Sequence, residues 1–197
     1  MDLQRKTDLR VIKTREAIRK AFRDMICEME ADKITVKELT DRARIHRKTF
    51  YLHYTCIEAL FEDMFKEGAE SYFKEIDKLP IPFTIVDLNE VFFTSLAKQD
   101  FFMERIICSQ SYRPFCNKMF ASAVQHNRKR YNPYAHLSKE KQDIINYFLA
   151  TSSLEFYRQW VAGGKVMPLE ELMELAGNLL NLGVSSITGD VNHGDKS

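Results

Sequence analysis

Apolar side chains in residues 9–30, LRVIKTREAIRKAFRDMICEME, return at three- and four-residue steps: Ile18, Phe22, Met25, Ile26 and Met29. Arg and Lys fill the other side, and the spacing predicts an amphipathic helix. In the following DKITVKELTDRA, Thr35 and Glu38 stand at the spacing of a capping box, and Ile34 and Leu39 are placed for a hydrophobic staple across it. A helix is therefore expected from Thr35 or Val36 to about Ala43. The tight junction ARIH leads into a second short helix over RKTFYLHY, from about His46 to His53. Two such helices joined by a short turn make a helix-turn-helix, with the long first helix packed across them.

The pattern beyond is also helical. A fourth helix is expected from about Cys56 to Lys78 on Leu60, Phe61, Met64, Phe65 and Phe73, and Pro80 and Pro82 end it. Further helices are predicted near 84–98, 101–109, 111–129, 138–163 and 168–188. No stretch sustains two-residue alternation with β-branched residues, so no sheet is expected. In 138–163, Ile144, Ile145, Phe148, Leu149, Ser152, Phe156 and Trp160 share one broad face, and Gly163-Gly164 closes the helix. Pro168 opens the last helix, with Glu170 and Glu171 near its positive end. There Leu172, Ala176, Leu179, Gly183 and Ile187 form a stripe whose small members let another helix come close. The stripe suits a contact between two copies of the chain, or packing within one. The fold class is all-α, about nine helices: an N-terminal three-helix helix-turn-helix domain (1–55) and a C-terminal helical domain (56–197).

Composition sharpens this picture. The 197 residues are 45% hydrophobic and hold only 7 Gly and 5 Pro, which suits long helices around a core. Net charge is +1, but residues 1–55 carry 14 Lys/Arg against 9 Asp/Glu, and 56–197 carry 15 against 19. A basic front half suggests a polyanionic partner. The four cysteines show no Cys-x-x-Cys spacing, no apolar run is long enough to cross a membrane, and the start lacks the apolar core of a signal peptide. A cytoplasmic protein with reduced thiols is expected, with no membrane contact. Nucleophile-elbow, phosphate-loop, dinucleotide and zinc-protease motifs are missing from the sequence. Cys108, Cys116 and His126 match no common zinc spacing. No enzyme activity, metal or cofactor is expected.

KITVKELTDRARIHRKTFYLHYTCIEALF resembles the DNA-binding module of the TetR/AcrR family of transcriptional regulators. The family pattern is matched by residues 34–36 as the apolar-Thr-apolar start, Ala43 as the small residue ending helix 2 and Ile45 in the turn. Thr49, Phe50, Tyr51, His53 and Tyr54 match helix 3, and Glu58 and Leu60 the opening of helix 4. The motif covers roughly residues 10 to 62; beyond them only architecture and length agree. Three positions depart from the pattern. Arg44 stands where the family has Gly, His46 where helix 3 often begins with Ser, and Cys56 and Ile57 where helix 4 often has a small cap and a Lys.

The resemblance implies a regulator, by default a repressor, that binds double-stranded DNA as a homodimer on a near-palindromic site. A helix with cations at its N-terminal end fits the major groove. Arg47 can pair with guanine, Lys48 and Lys37 can reach bases or phosphates, and Thr49 can meet a thymine methyl or a phosphate. Tyr51 and His53 are expected at phosphates, with His46 and Tyr54 among the DNA-binding residues beside them, Thr35 presenting the helix 2 N-terminus and Arg10 adding a backbone contact. Phe50 and Ile45 are expected in the core, and Tyr54 there too, with its hydroxyl at the edge. The resemblance further implies a small apolar or aromatic effector in a pocket lined by Phe92, Phe93, Phe102, Met103, Phe120, Phe148, Phe156 and Trp160, although these aromatics would equally serve to fill a core. The dimer seam is expected on Leu172, Ala176, Leu179, Gly183 and Ile187. A different class also fits the charge asymmetry: a helical interaction module or ligand-independent coactivator whose basic half meets an acidic partner.

Overall fold

A computed structural model describes the backbone of residues 2–188 and the side chains of 9–185 apart from Glu67. Among the described residues there are nine α-helices and no strand. They are α1 (Asp2–Glu28), α2 (Val36–Ala43), α3 (Arg47–Tyr51), α4 (Ile57–Lys78), α5 (Ile85–Ala97), α6 (Phe101–Cys108), α7 (Arg113–Arg130), α8 (Lys139–Ala162) and α9 (Leu169–Thr188). The all-α expectation holds, and most helix ends fall within two residues of the periodicity. Helix α1 begins well before residue 9, and α3 is shorter than His46–His53 because its last turn tightens: His53 N donates to Phe50 O at 2.9 Å.

Two compact units divide the chain. One comprises the residues up to Ala69 with Gln99–Lys118; the other comprises Glu70–Lys98 with the residues from Met119 on. They are not the segments 1–55 and 56–197 of the functional division expected above: α4 runs unbroken through the point where the units divide.

In the first unit, Ile18, Phe22, Met25 and Ile26 of α1 are buried with Leu39, Phe50 and Leu60. Phe61 stacks on Phe65 and Phe115 at ring separations of 4.4 and 4.3 Å. The carbonyls that α1 leaves unpaired at its C-terminal end are met by α6 and the turn after it. Arg105 Nε donates to Ile26 O at 2.6 Å, and Tyr112 Oη donates to Met29 O at 2.7 Å. In the second unit α5 packs along α9, with Gly177 of α9 facing the Val86 side chain of α5. Thr84 and Asp87 form a full capping box at the start of α5. Asn89 and Ser153, both buried, tie α5 to α8 through a 2.9 Å hydrogen bond.

Candidate nucleic-acid interface and internal cavity

The helix-turn-helix is held by local chemistry at each joint. Thr35 Oγ1 accepts from Glu38 N at 3.2 Å and caps α2. Only this half of the expected capping box forms, because the Glu38 carboxylate accepts instead from Arg42 Nε at 3.2 Å. Helix α2 ends with Arg44 N donating to Asp41 O (3.2 Å) and Ile45 N to Thr40 O (3.0 Å), a Schellman arrangement. That ending places residue 44 in the left-handed region, and Arg44 has φ 54° and ψ 46°. An L-side chain there costs roughly 1 kcal/mol relative to glycine. His46 precedes α3 without a side-chain cap; its carbonyl takes the Thr49 amide at 2.8 Å, and the amides of Arg47 and Lys48 have no side-chain acceptor there.

Phe50, fully buried, pins α3 into the core and turns the remaining side chains outward. Arg47, Lys48, Tyr51 and His46 are exposed, and Thr49 and His53 half-exposed. Thr35 and Lys37 at the start of α2 and Arg10 on α1 are exposed as well. The helix-turn-helix thus brings the sequence-derived candidates to its surface, with two corrections. Tyr54 is only 6% exposed, and its hydroxyl donates to Asp63 Oδ2 at 2.8 Å while accepting from Arg15 Nε at 3.1 Å. That hydroxyl is engaged inside the unit, so Tyr54 ties α1, the end of α3 and α4 together rather than meeting a phosphate. Ile45 is only half-buried. One apolar side chain escaped the sequence reading: Leu52, between Tyr51 and His53, is 78% exposed. Its signal lay in position, since Phe50 takes the inward site two residues before it.

Asp63 anchors this joint. Burial pushes its carboxyl up, but hydrogen bonds from Tyr54 and Arg15 and the charges of Arg15 and Arg19 outweigh burial and hold it below its ordinary value. The hydrogen bond to Tyr54, followed by that to Asp63, raises the Arg15 guanidinium. Burial, then the bond to Asp63, raises the Tyr54 phenol.

The expected aromatic pocket does not form as one site. Phe92 and Phe120 line a cavity of about 90 Å³ in the second unit, with ring centres 5.7 Å apart. Tyr72, Asn89, Asn127, Asn146 and Ser153 also line it, none of which the sequence reading singled out. Amides spaced along three helices carry no local pattern, so only folding reveals them. Asn127 Nδ2 donates to Tyr72 Oη at 2.9 Å, while Asn127 Oδ1 is buried with no partner. Such an orphan costs about 1–3 kcal/mol. Phe93 is fully buried core, and Phe102 and Met103 belong to the first unit, where the Arg23 guanidinium sits 4.3 Å from the Phe102 ring centre. Phe156 and Trp160 line a separate groove of about 310 Å³ against Leu172, Leu175, Ala176 and Leu179. Phe148 is exposed beside Gly183.

The expected seam on α9 is also redrawn. Leu172 and Ala176 are buried, in step with Leu180 and Val184, so they pack within the unit. Leu179 and Gly183 face outward, as do Leu175 and Leu182, and α8 adds Ile144, Tyr147 and Phe148 to the exposed apolar residues. The side chain of Ile187 lies outside the described residues.

With this geometry in view, the class is clear: the chain has the fold of the TetR/AcrR family of helix-turn-helix transcriptional regulators. Over 90% of this chain and 99% of the other, it superposes on a TetR transcriptional regulator from Streptococcus agalactiae with a TM-score of 0.66 and 25% identity. A TetR/AcrR-type regulator from Aquifex aeolicus follows the same fold over 86% of this chain and 98% of its own, at 19% identity and a TM-score of 0.52. So does FadR from Bacillus subtilis, solved in complex with stearoyl-CoA, over 87% and 98%, at 16% identity and a TM-score of 0.59. In sequence, 66 residues are 39% identical to an uncharacterised HTH-type transcriptional regulator, YxbF, of Bacillus subtilis; they make up 33% of this chain and 17% of that protein. No protein-family model matches the chain. These similar proteins are transcriptional regulators. Among the described residues, no helix is long and apolar enough to cross a membrane, and no group of His, Cys, Asp or Glu could hold a metal ion.

Proposed function

We propose that the chain is a cytoplasmic transcriptional repressor that binds a near-palindromic DNA site as a homodimer, with residues 1–55 reading DNA and 56–197 serving dimerisation and effector binding. The observation that carries this reading is α3, whose Phe50 is fully buried while Arg47 and Lys48 stand exposed at its N-terminal end. A short helix anchored in this way offers long cations to the major groove. Arg47 takes the base-reading role, Lys48 and Lys37 reach bases or phosphates, and Thr49 meets a thymine methyl or a phosphate. Tyr51 and His53 hold phosphates beside it, with His46, Thr35 and Arg10 at the flanks. Leu52 joins this surface as an apolar contact.

One copy offers few base contacts, and a two-fold pair doubles them. The apolar side chains exposed on α8 and α9, among them Ile144, Tyr147, Leu179 and Leu182, supply the seam. An effector in the second unit acts through α4, the one helix that carries both Asp63 of the Tyr54 joint and Tyr72 of the cavity. A ligand that favours a different spacing of the two α3 helices from the ~34–36 Å of one DNA turn releases the operator by its differential affinity.

Selection from a random duplex library tests this reading. Enrichment of a near-palindrome, together with a dimer in sizing at micromolar concentration, supports it. A monomer, or a selection that enriches nothing, overturns it.

A further inference from the structure

We infer that the cavity of the second unit takes a small neutral ligand presenting a hydrogen-bond donor and acceptor side by side, as a primary amide or an alcohol does, with Tyr72 and Asn127 selecting it. The inference rests on the effector reading above and gives that effector its chemistry.

Size and lining exclude the alternatives in turn. At about 90 Å³, the cavity suits a ring or a short chain packed against Phe92 and Phe120, whose own rings touch. Its polar lining consists of amides and hydroxyls, and among the described residues that line it there is no Asp, Glu, Lys, Arg or His. A carboxylate or ammonium would leave water without meeting a counter-charge, which strongly disfavours an ionic ligand. A purely apolar ligand would leave the Asn127 oxygen unpaired.

The hook lies between α4 and α7. Asn127 gives one amide hydrogen to Tyr72 Oη, and its oxygen has no partner. No acceptor among the described residues takes the Tyr72 hydroxyl hydrogen. Turning the amide over changes the labels but not the outcome: Tyr72 then donates, and both amide hydrogens and a phenol lone pair become free. Either way the pair keeps at least one free donor and one free acceptor. Burial pushes the Tyr72 phenol up to about 12, so it remains a neutral hydroxyl at physiological pH. Ser153 donates to Asn89 Oδ1 at 2.9 Å, so that oxygen is occupied and Asn89 faces a ligand only as a donor.

Five probes that share one ring and differ in a single substituent test the assignment on the full chain without DNA: benzamide, benzyl alcohol, toluene, benzoate and benzylammonium. Calorimetric titration is expected to show benzamide and benzyl alcohol binding about 10-fold tighter than toluene, with benzoate and benzylammonium weakest. In Tyr72→Phe, benzamide falls to the level of toluene while toluene binding is unchanged. Asn127→Leu gives the same loss and serves as the second variant. The inference is overturned if toluene matches benzamide, if benzoate binds as tightly, if no probe binds, or if Tyr72→Phe keeps the preference. A chain that binds a selected duplex but none of the probes refutes the ligand class alone. Binding of benzamide without binding of any duplex refutes only the regulator reading.

Discussion

The helix-turn-helix and the cavity are assembled from the chain in opposite ways. Between Thr35 and His53, two short helices and a turn set out all of the candidate DNA surface except Arg10 around one buried ring, Phe50. The cavity instead draws Tyr72 from α4, Asn89 and Phe92 from α5, Phe120 and Asn127 from α7 and Ser153 from α8. A local motif commits its exposed residues through spacing alone. A cavity is defined by where packing fails to close, which depends on helices far apart in sequence. Mutations should therefore separate function from stability in the first region, and ligand binding from fold in the second.

Arg47→Ala should produce the largest functional effect. Loss of a base contact worth ~1–3 kcal/mol in each half-site should weaken dimer binding to the selected duplex by about 2–6 kcal/mol. Its Tm should hardly move, because the side chain is exposed. Phe50→Ala should do the reverse, costing ~3–5 kcal/mol of stability in denaturant unfolding, with DNA binding lost only through the fold. A variant at position 47 that unfolds the protein would break this contrast.

Asp63→Asn should cost about 1 kcal/mol at neutral pH, because Tyr54 and Arg15 lose a half-buried acceptor oxygen and its charge. The folded-state value of Asp63 lies below its unfolded one. Its contribution is therefore complete above the unfolded carboxylate range near pH ~4 and is lost as pH falls through the folded value. The stability gap between Asp63→Asn and the parent chain should accordingly close in acid, as read by urea titration at several pH values. Arg44→Gly is a change of similar size and opposite sign. It should stabilise the chain by roughly 1 kcal/mol by relieving the left-handed residue, a gain visible as a raised midpoint of urea unfolding.

Legibility in the sequence follows the same division. The helix ends, the αL demand at Arg44, the missing cap at His46 and the burial of Phe50 could all be read, since each rests on neighbours within one turn. Tyr54 could be read as core with its hydroxyl at the edge, but not what that hydroxyl meets. Its true partners, Arg15 and Asp63, come from α1 and α4 and carry no shared local signal. On α9, the stripe of four-three-four-four spacing lies along the edge of the buried face, which runs through Leu172, Ala176, Leu180 and Val184 at steps of four. Leu179 lies only ~20° around the axis from Leu172 but on the side away from Leu180, and it is 51% exposed. The Phe-rich pocket failed for a related reason: aromatic content does not say which rings share a helix pair, and Phe92 and Phe120 alone of the eight candidates reached the cavity.

The salt dependence of sequence-specific duplex binding tests the central claim most directly. Anisotropy titrations of the parent chain on a selected duplex and on a scrambled one, across a range of salt, should show specific affinity that falls steeply as salt rises. The selected duplex should keep its advantage over the scrambled one throughout, and Arg47→Ala should erase that advantage. Equal affinity for both duplexes at every salt concentration, unchanged by Arg47→Ala, would contradict the assignment of α3 as a DNA-reading helix.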